Sequence, residues 1–495
     1  MTLTATGLDP KAICLRINNS TPVGGLFEGD RSKLHPDSRL PWRISPEPFW
    51  LTHDQHQFLE SLGTLLLKFQ RACNLLYHQS VKGLQPSWVA DYLDRGKPDR
   101  IIDFGRMNRT KSQLPVVIRP DLILTADGVR ITELDSVPGG IGFTGQMHSL
   151  YTEIGYDLIG GGDGLIEGFY QAVAGISQID NPRIAIVISD ESRDYRDEMM
   201  FLADSLRNSG RPVHCCHPKE LSVDDKGLLV PDDKGEIHRV DIVYRFFELF
   251  DLPNISKAEL ITYHGKKNAV RITPPLKAFL EEKMWMAFLN YPELENFWTR
   301  QLGAADYQTL HELIPRSWIL DPAPIPPHAS VSGMQIKGRN VNSWNELKAL
   351  TKKERELVVK PSGFSQDAYG SRGVSIGHDL PEENWTQAVT NALQCFSSNP
   401  HVLQEFHKGA RIEVSYYDFN IGEIRKMHGR VLLRPYYYVL KDDQTKLAGI
   451  LDNAELLFRF ISLLHSFEAF FLPFSFWTST PRALRTLNCW SIFLL

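Results

Sequence analysis

The stretch Arg119–Gly145, RPDLILTADGVRITELDSVPGGIGFTG, constrains the fold more than any other. It predicts a two-stranded hairpin, Val116 to Thr125 and Val129 to Asp135, followed by a glycine-rich loop. Between the strands lies Ala126-Asp127-Gly128, a three-residue loop with glycine where positive φ is wanted. Counting from that loop sets Asp121 opposite Glu133 and Arg119 opposite Asp135. All four share one parity and so one face of the ribbon. Directly opposed side chains have Cβ atoms about 5 Å apart. Like charges there repel unless a cation joins them, and carboxylate oxygens suit Mg²⁺, which also takes substrate phosphates as ligands. The plainer alternative is a solvated face with a surface ion pair.

The loop Gly140-Ile-Gly142-Phe-Thr-Gly145 fits GxGxxG, with Asp163 near the distance of a ribose-binding acid. A dinucleotide loop, however, follows a strand buried on both faces, and this one ends on Glu133 and Asp135. The run also misses a P-loop, because Gln146 stands at the lysine position. It reads instead as a flexible loop beside a metal-carboxylate face.

With 495 residues the chain is long enough for two or three domains. A net charge of -5 gives no general attraction to nucleic acid or an acidic membrane. The six cysteines form no CxxC, so neither a zinc site nor a disulfide framework is indicated. The N-terminus lacks the basic start and apolar core of a signal peptide, and a cytoplasmic location is expected.

Residues 1–50 read as an extended arm, followed by helices at Thr52–Gln79 and Trp88–Leu93 and a strand at Arg100–Asp103. A helix is expected from Gly145 to Gly155. RIAIVIS (183–189) and DIVYRFF (241–247) are continuous apolar runs, typical of buried parallel strands. With Pro212–Cys216 they predict a small open α/β unit whose ligands bind beyond the strands' carboxyl ends. Ser189 and Arg245 are the candidate substrate residues there, the alternative for Arg245 being an ion pair with Glu248 or an aspartate. A helix is expected over Leu276–Phe288, carrying Lys277 and Lys283, then helices at Leu294–Leu302 and Tyr307–Leu313, and a linker at Asp321–Pro327.

The strand LVVK (357–360) runs into Pro361–Gly373 and a returning strand, Val374–Ile376. Such a flap, with Ser362 and Gly363 at its start, can wrap phosphates in backbone amides beside the Lys360 charge. HVLQEF (401–406), Glu413–Phe419 and Arg430–Leu440 read as further strands, Tyr436–Tyr438 being strand packing. The segment Glu455–Leu495 has no Gly, Lys or Asp and holds eight of the 26 phenylalanines. It reads either as a closing core segment or as an abnormal terminus, and supplies no clean membrane span.

The carboxylate hairpin, lysine-ended strand, glycine flap and Gln404-Glu405-Phe406 together resemble the ATP-grasp superfamily. Over Arg119–Leu440 the chain is similar to the ligase part of the glutathionylspermidine synthase-like carboxylate–amine ligases, in which an RxD strand precedes an ExN strand. Asp135 occupies the place of that asparagine. The resemblance implies an α/β (α+β) ATP-grasp fold with an added small α/β substrate domain and a helical N-terminal segment. It implies ATP with two Mg²⁺ ions, held by Asp121, Glu133 and Asp135. Arg119 would meet the γ-phosphate and an acyl phosphate, and Arg434 would be a second phosphate contact. Lys360 and Lys283, or else Lys277, would bind nucleotide with Ser362 and Gly363, and Gln404, Glu405 and Phe406 would hold adenine. Substrates would be a small-molecule or peptide carboxylate and an amine, with no nucleic acid or membrane. No amidase-type Cys/His pair is evident, so only ligase activity is implied. The alternatives are a nucleotide-binding protein without turnover and an NAD-type oxidoreductase using GIGFTG. Expected boundaries are 1–115 (arm and helices), 116–180 (hairpin and loop), 181–250 (α/β unit), 251–330 (helices and linker), 331–452 (nucleotide lobe) and 453–495 (tail).

Overall fold

A computed structural model describes residues 5–21, 43–135, 137–232, 234–326 and 329–456. The hairpin forms from Val117–Thr125 and Gly128–Asp135. Its loop has two residues rather than three, because Thr125 pairs with Gly128, whose φ is 119°. A bulge between Asp121 and Leu122 then absorbs one residue, since Leu122 faces Ile131 while Asp121 faces Glu133. The register at the acidic end, Arg119 opposite Asp135, is therefore the expected one, reached by a different path. Without the bulge, a one-residue slip would send the acids to the other face.

Val117, Ile118, Leu122 and Ile131 are buried, and the hairpin joins a five-stranded antiparallel sheet. Its long strand, Glu423–Val439, pairs with Val117–Thr125 on one side and with Thr445–Leu456 on the other. Tyr436, Tyr437 and Tyr438 are fully buried in it, so each hydroxyl needs a partner. They donate to the carbonyls of Gly139, Leu59 and Leu165 at 2.8, 2.6 and 2.8 Å. The last two tie the sheet to helices His53–Val81 and Gly164–Ala174. A capping box of Thr52 and Gln55 starts the first of these.

Four parallel strands form the α/β unit, in the order Val213–Cys216, Ile184–Ile188, Ile242–Phe246, Arg271–Thr273. Every residue of the two central strands is buried, which explains their unbroken apolar runs. A second antiparallel sheet has the order Ser317–Ile319, His401–Glu405, Leu357–Pro361, Ser375–Ile376.

Several elements differ from expectation. Arg100–Asp103 belongs to a helix, Asp99–Arg106, whose Ile101 and Phe104 face inward at helical spacing. Pro10–Ser20 is a helix capped by Asp9, within the region read as an arm. The helix expected at Gly145 begins at Ile141. Leu276–Phe288 divides into a 3₁₀ turn, Ala278–Glu281, and a short helix, Met284–Phe288. The first residues of the expected tail complete strand Thr445–Leu456, while residues 457–495 lie outside the described residues. Among the described residues no helix is long and apolar enough to cross a membrane.

Candidate active site

The parity of the hairpin sets four charged side chains on one face, and neighbouring elements bring three more cations to it. Arg119 Nη2 lies 3.0 Å from Asp135 Oδ2 and 3.3 Å from Asp121 Oδ1. Arg434 Nε, from the adjoining strand, lies 3.1 Å from Asp121 Oδ2. From the other sheet, Lys360 Nζ donates to Thr132 O at 2.7 Å and to Gln404 Oε1 at 2.9 Å. Lys283 Nζ lies 2.9 Å from Glu133 Oε1 and donates to Ala368 O of the flap at 3.1 Å. The two sheets thus meet across a single charged cleft.

The electrostatics follow from burial and charge order. Burial pushes the Asp121 carboxyl up, but Arg434 and Arg119 outweigh it and hold it below the usual carboxylate range. Burial raises Asp135, and Glu133 adds to this against the pull of Arg119. Burial lowers Lys360 to about 8. Burial also opposes the Lys283 charge, but Glu133 overcomes it and raises the pKa.

The donors are carboxylate oxygens, and buried Asp121 Oδ1 accepts no hydrogen bond, which fits a hard divalent cation. The three carboxylates do not close into one compact cage. Among the described residues, the trio whose ligand atoms all lie within 4.8 Å of one another is Asp232, Glu236 and His238, on a hairpin of the α/β unit. Asp121, Glu133 and Asp135 could therefore hold Mg²⁺ only with phosphate or water oxygens completing the shell, its ordinary habit.

The remaining expected site residues divide. Lys277 is turned away: its Nζ donates to Asn74 Oδ1, Lys111 O and Gln113 O at 2.8, 2.8 and 2.7 Å. Lys283 is the lysine of that segment at the cleft. Ser362 does not offer itself to a phosphate, because its carbonyl accepts Lys283 N–H and its hydroxyl accepts Met284 N–H. Gly363 packs on Glu281 and Glu282, where a Cβ would meet Glu281 O at 2.7 Å. Both residues seat Lys283. Gln404 is buried, bridging Lys360 and Ser317, while the N–H groups of Glu405 and Phe406 donate to Arg316 O and Glu356 O.

In the α/β unit, Arg245 is wholly buried, paired with Glu281 and donating to Phe247 O and Pro274 O. This is an ion pair, with Glu281 rather than the expected Glu248 or an aspartate, and it engages the guanidinium read as a substrate contact. Ser189 is also buried, its hydroxyl without a partner. Glu191, at the same carboxyl strand end as Ser189, binds the flap, accepting from Arg372 at 2.7 Å and Gln366 at 3.3 Å. Its place just past a parallel strand was the available signal.

The GIGFTG loop opens a helix, but its amides are occupied. Gly140 N–H and Phe143 N–H donate to the Glu198 carboxylate at 2.6 and 3.1 Å. A pyrophosphate would have to displace a carboxylate of the chain itself, which counts against the NAD alternative.

No family model matches the chain, and no curated protein does. Among solved structures it is similar to a glutathione synthetase-like effector from Globodera pallida in its apo form. The TM-score is 0.53 and the identity 12%, covering 92% of this chain and 98% of that one. A putative gamma-glutamylcysteine synthetase from Methylobacillus flagellatus KT matches at TM-score 0.39 and 13% identity, over 75% of this chain and 82% of that one. D-alanyl-alanine synthetase A from Vibrio cholerae matches at 0.26 and 13%, over 54% and 88%. The first likeness is one of fold: the chain is a mixed helix-and-sheet protein with an ATP-grasp fold.

Proposed function

We propose that this chain is an ATP- and Mg²⁺-dependent ligase joining a carboxylate to an amine through an acyl phosphate, of the glutathionylspermidine synthase-like kind. The observation that carries the reading is the meeting of Arg119, Asp121, Glu133 and Asp135 with Lys360 from the opposite sheet and Lys283 from the start of helix Met284–Phe288. A carboxylate is a poor acyl donor, and phosphorylation by ATP makes it one that an amine can attack. A cation held by the hairpin acids would neutralise the transferring phosphoryl group and orient the polyphosphate.

The chain's own residues supply the rest. Arg119 Nε is buried without a hydrogen-bond partner, a donor left for an incoming anion. Lys283 and Lys360 can exchange their internal acceptors for phosphate oxygens. The flap, tied to Glu191 and Lys283, reaches the cleft and by closing over it would keep water from an acyl phosphate.

The test is ADP release from MgATP with arrays of small and peptide carboxylates and amines. Asp121→Ala and Glu133→Ala should each abolish release with the circular dichroism spectrum unchanged. Retained turnover in both variants would refute the metal assignment. Nucleotide binding with no release under any acid–amine pair would favour a sensor or scaffold instead.

A further inference from the structure

The glycine-rich loop is the motif that the reaction leaves unused. Its glycines are shaped by the start of helix Arg196–Asn208. A Cβ at Gly139 would lie 2.2 Å from the Tyr195 ring, and one at Gly142 would lie 2.1 Å from Glu198 O. Gly140 takes φ 89°, open to glycine at little cost. This close approach brings Glu198, itself 0% exposed, onto the amides of Gly140 and Phe143.

One peptide unit then links two charges. The Gly139–Gly140 peptide is planar, its N–H and C=O pointing opposite ways. Its N–H donates to Glu198 Oε1 at 2.6 Å. Its C=O accepts from Arg119 Nη1 at 3.2 Å and from Tyr436 Oη at 2.8 Å. An anion on the donor end and a cation on the acceptor end polarise the same dipole and strengthen both bonds.

We propose that Glu198 is a positioning residue for Arg119, acting through the Gly139–Gly140 peptide to aim the guanidinium along the Asp121–Asp135 face at the γ-phosphate. The linkage stands on geometry alone, and only its effect on phosphate rests on the ligase reading. Glu198 touches neither the carboxylates nor the lysines of the cleft. GxGxxG serves here as the hinge of an internal ion relay, with the anion supplied from 58 residues downstream of Gly140.

Two measurements at pH 8 test this, using the full chain. The first is a double-mutant cycle of melting temperatures on Glu198→Gln and Arg119→Met, with Arg119→Lys as a second partner should the methionine variant not fold. Glutamine keeps the shape and loses one of two acceptors. Its shift in melting temperature, of either sign, should shrink by at least half when Arg119 is already gone, whereas additive shifts would overturn the linkage. The second compares Mg·AMP-PNP with Mg·ADP by calorimetry. Glu198→Gln should weaken Mg·AMP-PNP about tenfold and leave Mg·ADP within twofold, because only the former carries the phosphate Arg119 is aimed at. Equal loss for both nucleotides would mean a merely structural role and overturn the proposal. If the wild-type chain binds neither nucleotide, the ATP reading falls, and the melting-temperature cycle alone decides the linkage.

Discussion

Lys283→Met should move metal binding and nucleotide binding in opposite directions. In the chain alone, Lys283 lies 2.9 Å from Glu133, Arg434 3.1 Å from Asp121 and Arg119 3.0 Å from Asp135. With Lys360 alongside, four cations face three carboxylates, so a divalent cation arriving alone must displace positive charge. At an effective dielectric constant of about 20, unit charges about 4 Å apart interact by about 4 kcal/mol. The Glu133 side chain is 38% exposed, so solvent screens its pair, and the net contribution falls to about 1 kcal/mol. Removing the lysine charge should therefore raise the affinity for Mn²⁺ alone by about fivefold. The same change should weaken Mg·AMP-PNP by about tenfold or more, since the phosphates lose a charged donor. Isothermal calorimetry of the wild type and of Lys283→Met with each ligand gives the two numbers. Mn²⁺ affinity that falls or stays fixed, or two affinities that fall together, would refute the picture of lysine and metal competing for Glu133.

Other consequences can be checked separately. Burial, opposed by the Gly140 and Phe143 amides, raises Glu198 from 4.5 to about 7, so the folded chain holds that proton more tightly than the unfolded one. The resulting stabilisation is full below about pH 4.5 and is lost as pH rises through 7, by up to about 3 kcal/mol. Glu198→Gln should flatten the difference in urea midpoint between pH 5 and pH 8, and an unaltered slope would assign it to other groups. Glu191→Ala removes the acceptor of Arg372 and Gln366, so protease cleavage within 361–373 should rise about fivefold while overall melting stays put. Unchanged cleavage would mean that the flap is held elsewhere. Arg245→Met leaves Glu281 as a buried, uncompensated charge and should cost about 3–5 kcal/mol in urea unfolding. Undiminished stability with a selective loss of acid use would restore Arg245 to substrate binding.

The legible parts were those governed by local periodicity. Apolar runs at 184–188 and 242–246 revealed the parallel strands, because strands covered on both faces carry no polar alternation. The hairpin register was right at Asp121 and Glu133 because two local errors cancelled: a loop one residue too long and an unseen bulge. Bulges leave little mark in composition, and Thr132 is an ordinary strand residue. Helix Asp99–Arg106 was misread because RIID scans equally as a short strand, and only packing on Phe104 decides it. Lys277 and Lys283 share one segment, and which one faces the cleft depends on the break at Glu282, set by tertiary contacts. Glu198 was invisible, since nothing in an amphipathic helix reveals that one carboxylate has been drawn inward to cap a distant loop. Strand Thr445–Leu456 was passed over because turn signals around Asp442 and Asp443 and the odd composition beyond Glu455 drew the boundary too early.

The central claim is one magnesium–nucleotide site built jointly by two sheets, and titration of Mg·AMP-PNP into wild type, Asp121→Ala and Lys360→Met tests it most directly. One residue comes from each sheet, and neither covers the other's contacts. Saturable one-to-one binding in the wild type, lost in both variants while each remains folded, is the predicted result. Binding that survives either substitution undiminished would contradict a shared site.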